Sequence, residues 1–535
     1  MNIGWWLESA TWEHGDKIAV INPDEEKITY NELNALANQT GNVLREKFGI
    51  NEDDVVCTLL DDNEFHVAVM FATFKVGAVF CPLNRSQLLD KFLYDVSIAK
   101  PKLLVTNARF LDVAKELKEK GNIEHLATVY VQDREYPNLR DLADGVSQGL
   151  RMTPRSNNDL AIINFTAGTS GPSKGVMLTH GTFGNSVLTS TFWCGVKSSE
   201  TFFIPLYLFH TAGLNNTMAA IISRATIIYL GGWNPERAIY FLDKYKPDWV
   251  YLFVPTMVRD MARYESFKKL DLSNTKFQLA GEPVAAEIHE MLRKQGARTL
   301  CGYGMTETMP FVATVCSFYY GDDEIEPLGS VGKPNKEFTR VKLIDPFGEE
   351  IKNPNVSGEV LITGDVLTPG YYKDPEKTKE NIDEEGWFHS RDLAYMDENG
   401  WYYVSGRTDD IILSGGEKVS LIEVDEHLHK SPLVKDVACV GVGHDRFGEV
   451  PAAIVVPNEE ISEEDLTEML DKHMREGSLE NWKRPRLYIK VDEIPRTMAK
   501  RTKNLPALRK MVEGIVLRDE DGVVSMGKVK KHDVK

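Results

Sequence analysis

Residues 164–180 read NFTAGTSGPSKGVMLTH, and the kind of fold around them follows from what such a stretch can do. Small residues and hydroxyls crowd around one lysine, a composition that packs poorly and suits polyphosphate oxygens. Gly168, Gly171 and Gly175 let the backbone bend and present its N–H groups, Thr166, Thr169, Ser170 and Ser173 add hydroxyl donors, and Lys174 adds a mobile positive charge. The apolar run LAIINF before it reads as a buried strand feeding the loop. Gly175, where a Walker loop requires Ser or Thr after its lysine, marks a different nucleotide loop. Taken alone, the same composition also makes a flexible surface turn, so its meaning depends on partners elsewhere.

Along the chain, helix-like and strand-like segments alternate. Apolar spacing predicts a helix over 28–48, a strand over 55–60, a helix over 65–80, and strands over 102–107 and 127–133 with the charged helix LDVAKELKEKG between them. A second cycle begins at the lysine loop and includes strands over 225–230, 249–255 and 276–282. Such alternation gives α/β layers on parallel sheets. After about residue 325 short strands separated by Gly, Pro, Asn and Asp take over, ending in AYMDENGWYYVSG, a hairpin turning on ENG. They predict a β-rich module that closes a large domain, 1–405. GRTDD at 406–410 reads as a boundary, and 411–535 as a small α+β domain. The valines flanking DEDG in the tail predict a final hairpin.

At 535 residues the chain is too long for one core. A formal charge of −18 argues against a general nucleic-acid binder, which needs basic surface, so small-molecule partners are expected. The six cysteines form no C-x-x-C pair, which speaks against a zinc site or disulfide framework and fits a reducing cytoplasm. The start, MNIGWWLESATWEHGDK, lacks the basic end and apolar run of a signal peptide. Residues 65–83 are largely apolar, but His66 and Lys75 interrupt them and Pro82 closes the run, so a buried helix is expected and no transmembrane segment.

Further strings give the loop its context. ITYNELN (28–34), the lysine loop, GYGMTET (302–308) and WFHSRDLAYMDENGWYYVSGRTDDIILSGGEK (387–418) resemble, in order and approximate spacing, the acyl-adenylate-forming enzymes: acyl-coenzyme A synthetases, luciferases and the adenylation domains of peptide synthetases. The resemblance spans about residues 25–510 and favours the AMP-forming acyl-coenzyme A synthetase branch. It implies a large N-terminal domain of two parallel-sheet α/β subdomains plus the β-rich module, with a small mobile C-terminal domain.

In that family a carboxylate attacks the α-phosphorus of ATP and pyrophosphate leaves, which requires cations and backbone donors around two anions. The resemblance assigns Thr166, Gly168, Thr169, Ser170, Gly171 and Lys174 to the phosphates, with Ala167 replacing a usual Ser and so removing one hydroxyl. Gly281, Glu282 and Pro283 lie on one face of adenine, and Tyr303 and Gly304 on the other, Tyr303 through its flat ring. Thr306 offers a hydroxyl to the α-phosphate and Glu307 a hard oxygen to Mg2+; alternatively TET only opens a helix. Asp392 and Arg407 make a ribose clamp, and Arg391 stands where the family normally has Gly, which makes the turn bulkier. His210, following Phe209 in FFIPLYLFHTAGL (202–214), guards the acyl channel or is structural. Phe209, Phe253, Met257 and Met305 line an apolar pocket that fits medium- or long-chain fatty, alicyclic and aromatic acids alike.

The small domain is expected to swing about Asp409 and exchange adenylation for thioester formation, after which Ser414, Gly415, Gly416 and Glu417 line the coenzyme A tunnel. The adenylation lysine is Lys500 in IPRTMAKRTKNLPALR, or Lys503 if the irregular motif is shifted; a solvated basic face is the bland alternative. The activity implied is an ATP-dependent acyl-coenzyme A ligase. Acid and ATP give acyl-adenylate and pyrophosphate, and coenzyme A then gives the thioester and AMP. ATP, Mg2+ and coenzyme A are the implied cofactors and co-substrate, a small carboxylic acid the partner, and a homodimer is admitted. No carrier-protein segment follows the small domain, which favours coenzyme A as acceptor. The other readings are a relative that loads a carrier or stops at the adenylate and, more distantly, luciferase-like oxygenation.

Overall fold

The computed structural model describes residues 1–526 except 167–172, 282–283, 310–312, 315–325, 346, 409–410, 416, 478, 497–502 and 519–521. Among the described residues the first sheet has six strands in the order His125–Val129, Leu103–Asn107, Val55–Leu59, Val79–Pro82, Leu160–Thr166, Lys174–Thr179, parallel except for the last. The second has nine: Lys333–Pro334, Ala313–Thr314, Arg298–Tyr303, Lys276–Leu279, Trp249–Phe253, Thr201–Ile204, Thr226–Tyr229, Ile18–Ile21, Lys27–Thr29. It is parallel from Arg298–Tyr303 through Ile18–Ile21 and antiparallel at both rims. One apolar core joins both sheets (Phe80, Ile162, Phe202, Tyr251) with the helices between them (Phe71, Phe183, Met218). Burial of such side chains, at about 1.5–3 kcal/mol each, is the main force holding the two layers together.

Two further sheets complete the chain. The antiparallel strands Thr339–Ile344, Gly358–Gly364, Phe388–Met396 and Tyr402–Arg407 pair in sequence order. The chain then enters a different sheet at Ile411–Ser414, which holds Glu417–Ser420, Gly448–Pro457, Val434–His444 and Leu487–Lys490. The helices Leu421–His429 and Glu463–Glu476 pack on it around Val424, Leu428, Leu466 and Leu470.

The structure corrects several element boundaries. The helix expected over 65–80 spans Glu64–Val76, ends at Gly77 in the left-handed conformation (φ 82°), and hands over to the strand Val79–Pro82. All of its residues are buried, so each polar one needs a partner. His66 bonds Thr58 at 2.9 Å and Asp62 at 3.1 Å, and the Lys75 ammonium bonds Glu8 at 2.9 Å and Asn38 at 2.6 Å, besides Asn34. Among the described residues no helix is long and apolar enough to cross a membrane. The helix expected from residue 28 starts at Tyr30, because Thr29 and Glu32 form a capping box and Lys27–Thr29 is a rim strand. The strand placed over 127–133 is His125–Val129. Residues 519–521 of the expected turn lie outside the described residues; among those described, Val516–Leu517 pairs with Val434–His444 and Val524–Ser525 with Leu487–Lys490, so the two segments extend one sheet at separate places and are not paired with each other.

Candidate active site

Parallel strands deliver their carboxyl ends to one edge of a sheet, and ligands of open α/β sheets bind there. The expected site residues follow that rule. His210 comes after Thr201–Ile204, Gly281 after Lys276–Leu279, and Gly304 directly after Arg298–Tyr303. The lysine loop leaves the first sheet at the end of Leu160–Thr166, and the chain returns antiparallel, with Lys174 directly opposite Thr166. Lys174 therefore stands on a strand, fixed at its root. The loop residues Gly168, Thr169, Ser170 and Gly171 lie outside the described residues, as do Glu282, Pro283, Asp409, Gly416 and Lys500.

Residues 368–374 tie the parts together. The Met177 N–H donates to the Gly370 carbonyl at 3.0 Å and the Tyr372 N–H to the Gly175 carbonyl at 2.7 Å, so this segment lies along the returning strand. The Thr368 N–H donates to the Glu307 carbonyl at 2.7 Å, fixing the short 3-10 turn Thr306–Thr308. Tyr371 is the centre of this arrangement. Its hydroxyl donates to Glu307 Oε1 at 2.9 Å, and the Lys174 ammonium lies 5.2 Å from its ring centroid. The negative charge of Glu307 adds to burial in pushing the Tyr371 hydroxyl pKa up, so it remains a donor. Lys174 is pulled below the usual lysine range by burial first and then by the like charge of Lys377. Nothing in sequence spacing singled out Tyr371.

Beside this lies the expected ribose clamp. Asp392 and Arg407 are opposed residues of neighbouring antiparallel strands, and Arg407 Nη1 lies 3.1 Å from Asp392 Oδ1. The Tyr303 hydroxyl donates to Asp392 Oδ2 at 2.6 Å, and the Asp392 N–H donates to Ser390 Oγ at 3.0 Å. Burial raises the Asp392 pKa, Arg407 and the Tyr303 hydrogen bond oppose the shift, and the charge of Glu307 reinforces it. The two clusters thus stand within electrostatic reach of each other. Arg391, in the place of a glycine, has a left-handed φ of 61°, which explains why glycine suits this turn.

A second missed residue supports the lysine loop from behind. The Ser173 hydroxyl donates to Asp95 Oδ1, and Gln87 Nε2 donates to the other oxygen at 2.9 Å. Asp95 is fully buried on the helix Leu89–Ala99, with Phe92, Val96 and Ala99 on the same face. An aspartate at i+3 on an apolar face was the sequence signal for it.

The acyl residues separate into two groups. The Asn164 side chain donates to the Phe209 carbonyl at 3.0 Å, joining the strand before the lysine loop to the 202–214 segment. Phe209 stacks on Tyr207 at 5.1 Å and meets the His210 ring at 4.6 Å, and His210 opens the helix Thr211–Ser223. Met257 is half-buried, whereas Phe253 is fully buried between Trp233 and Phe277 and backs the wall from within the core. Met305 packs beside Tyr303 against the core of the antiparallel sheet.

In the small domain Ser414 and Glu417 face each other across a tight hairpin in which Gly415 has a φ of 59° and donates its N–H to the Phe447 carbonyl at 2.9 Å. Lys503 bonds the part-buried Asp425 of the same domain, which in turn accepts the Cys439 N–H at 2.6 Å. That commitment weakens the case for Lys503 as the adenylation lysine.

Comparison with known proteins accords with this geometry. Residues 7–372 match the model of the AMP-binding enzyme family, and 423–501 that of the AMP-binding enzyme C-terminal domain. The chain is 29% identical over 434 residues to a feruloyl-CoA synthase of an Amycolatopsis species, covering 80% of this chain and 84% of that protein. It is 28% identical over 494 residues to the 2-succinylbenzoate–CoA ligase of Bacillus licheniformis, covering 92% and 96%. ATP-bound MatB from Rhodopseudomonas palustris superposes with a TM-score of 0.85 at 26% identity, over 95% of this chain and 98% of that one.

Proposed function

The chain belongs to the AMP-binding enzyme family and is an AMP-forming acid–CoA ligase, and we propose that it activates an apolar carboxylic acid bearing an aromatic ring. The two curated relatives take their names from acids that contain a benzene ring. An aromatic acid is therefore favoured over the fatty and alicyclic acids that the sequence admits equally. The observation that carries the division of labour is the meeting of Lys174, Glu307 and Tyr371 beside the Tyr303–Asp392–Arg407 cluster.

Asp392 accepts from the ribose hydroxyls while Arg407 and Tyr303 hold its carboxylate in place. Lys174 and the loop donors bind the outer phosphates and stabilise charge as pyrophosphate leaves. Thr306 directs its hydroxyl to the α-phosphate. Among the described residues Tyr371 engages one oxygen of Glu307 and leaves the other uncommitted, which fits Mg2+, an ion usually held by one or two carboxylates plus phosphate oxygens. When bound, Mg2+ would screen the phosphate charge. Phe209 and His210 sit where the acid enters, and no base is needed because a carboxylate is already nucleophilic at neutral pH. Rotation about 406–410 then brings the Ser414–Glu417 hairpin to the adenylate, so that coenzyme A meets it shielded from water. The scattered cysteines, of which the five described are buried, suit a reducing cytoplasm.

The test is a panel of aryl, arylalkenoic, alicyclic and fatty acids incubated with ATP, Mg2+ and coenzyme A, with thioesters separated by chromatography. Ring-bearing acids should be consumed fastest. Equal or better turnover of straight-chain acids would overturn the substrate class.

A further inference from the structure

Arg391 occupies a position whose backbone, with φ 61°, favours glycine. A long charged side chain kept in that conformation beside Asp392 invites a functional reason. The side chain lines a cavity of about 380 Å3 together with Glu359, Lys379, Glu380, Asp383 and His389.

The charges in this cavity are unevenly committed. Glu359 accepts the Arg391 N–H at 3.1 Å and lies 3.6 Å from His389, Asp383 accepts the Glu385 and Trp387 N–H groups and lies 3.5 Å from His389, and Glu380 is paired with Lys377. The Arg391 guanidinium, by contrast, has no hydrogen bond or ion pair among the described residues, although the residue is half-buried. Among the described residues Lys174 likewise makes no hydrogen bond or ion pair; the Tyr371 ring lies against its ammonium and the charge of Glu307 attracts it. The two cations repel each other across the site. Two half-buried like charges held within reach of each other, while Glu359, Asp383 and Glu380 each already hold another partner, suit a polyanion.

We propose that Arg391 is a second phosphate-binding cation, contacting the β,γ end of ATP and the departing pyrophosphate opposite Lys174. A guanidinium matches phosphate oxygens two at a time, and it offsets the hydroxyl that Ala167 removes from the loop. The proposal rests on the assignment of Asp392 to the ribose, which fixes the direction in which the phosphates run.

Calorimetric titration of wild type, Arg391→Gly and Arg391→Lys with ATP, pyrophosphate and AMP tests it. For Arg391→Gly, ATP and pyrophosphate should bind about tenfold more weakly or worse, the scale of one lost charge-assisted contact, while AMP stays within about twofold. Lysine should recover part of the loss. Melting of the glycine variant should be unchanged or higher, since glycine adopts this φ without strain, which separates lost binding from lost folding. Unchanged ATP and pyrophosphate affinity would overturn the proposal, as would an equal loss of AMP binding, which would put Arg391 at the ribose. If wild type binds neither ATP nor AMP, the underlying assignment fails and the proposal with it; if wild type binds both and the glycine variant is indistinguishable, only the proposal fails.

Discussion

Asp392 and Arg407 are directly opposed across the strands Phe388–Met396 and Tyr402–Arg407, and their side chains meet at 3.1 Å. Arg407 is part-exposed, so the pair adds little stability by itself. Its value lies in holding a buried carboxylate ionised and aimed, with Tyr303 on the other oxygen.

Function and stability should therefore part at Asp392. Burial raises its pKa, so the folded state favours the carboxylate less than the unfolded chain does, and stability falls as pH rises from the unfolded value through the folded one. Asp392→Asn removes that cost and keeps an acceptor for Tyr303. The expected outcome is AMP binding weakened tenfold or more, on the order of 1.5–3 kcal/mol for a lost charged hydrogen bond, with Tm at neutral pH unchanged or raised. Titration calorimetry and thermal melts read the two effects separately.

Tyr371→Phe removes one hydroxyl and leaves the ring over which Lys174 lies. Glu307 loses its donor, so adenylate formation should slow by about tenfold and the Mg2+ concentration for half-maximal rate should rise. Glu307→Gln should do the same more severely, on the order of 10²-fold. Initial rates across an Mg2+ series check both. Full rates at low Mg2+ in Glu307→Gln would reduce Glu307 to a residue of the 3-10 turn.

Asp95 supplies a pH signature. Burial pushes its pKa up to about 7, against the opposing Ser173 hydrogen bond and Lys91. The unfolded carboxyl titrates near 3.9, so between about pH 4 and 7 the folded state holds a proton that the unfolded state has lost. Its contribution to stability is full below that window and falls as pH rises through it, by up to about 1.4 kcal/mol per pH unit. Asp95→Asn should flatten this slope, as measured by urea unfolding at several pH values. Parallel curves for the two proteins would show that Asp95 is ionised throughout.

Lys503 and Lys500 should behave differently. Lys503→Ala leaves the part-buried Asp425 without its cation and should destabilise the small domain by about 1–3 kcal/mol, while enzyme that remains folded forms adenylate normally. Lys500→Ala should leave melting unchanged and abolish adenylate formation, with turnover of supplied acyl-adenylate and coenzyme A preserved. The reverse pattern would move the adenylation role to Lys503.

The layers and individual strands of such a chain are legible where periodicity and loop chemistry agree, as at Leu160–Thr166 and the hairpin around ENG. Boundaries slipped where an apolar run continued through a change of element: only Gly77, in a left-handed turn, and Ala78 separate the buried helix from the strand Val79–Pro82. At the site, residues within motifs could be named because each motif is local. Tyr371 and Asp95 could not, since they act through contacts 64 and 78 residues away in sequence. Asp95 at least left a trace as a charge on an apolar helix face. For Met305, a place in a motif gave no sign that its side chain also packs on the antiparallel sheet.

The most direct measurement is exchange of labelled pyrophosphate into ATP in the absence of coenzyme A, with and without a ring-bearing acid. Adenylation as the first step requires exchange that depends on the acid and Mg2+, and later addition of coenzyme A should release one AMP per thioester. Exchange that ignores the acid, or release of ADP and phosphate in place of AMP and pyrophosphate, would contradict it.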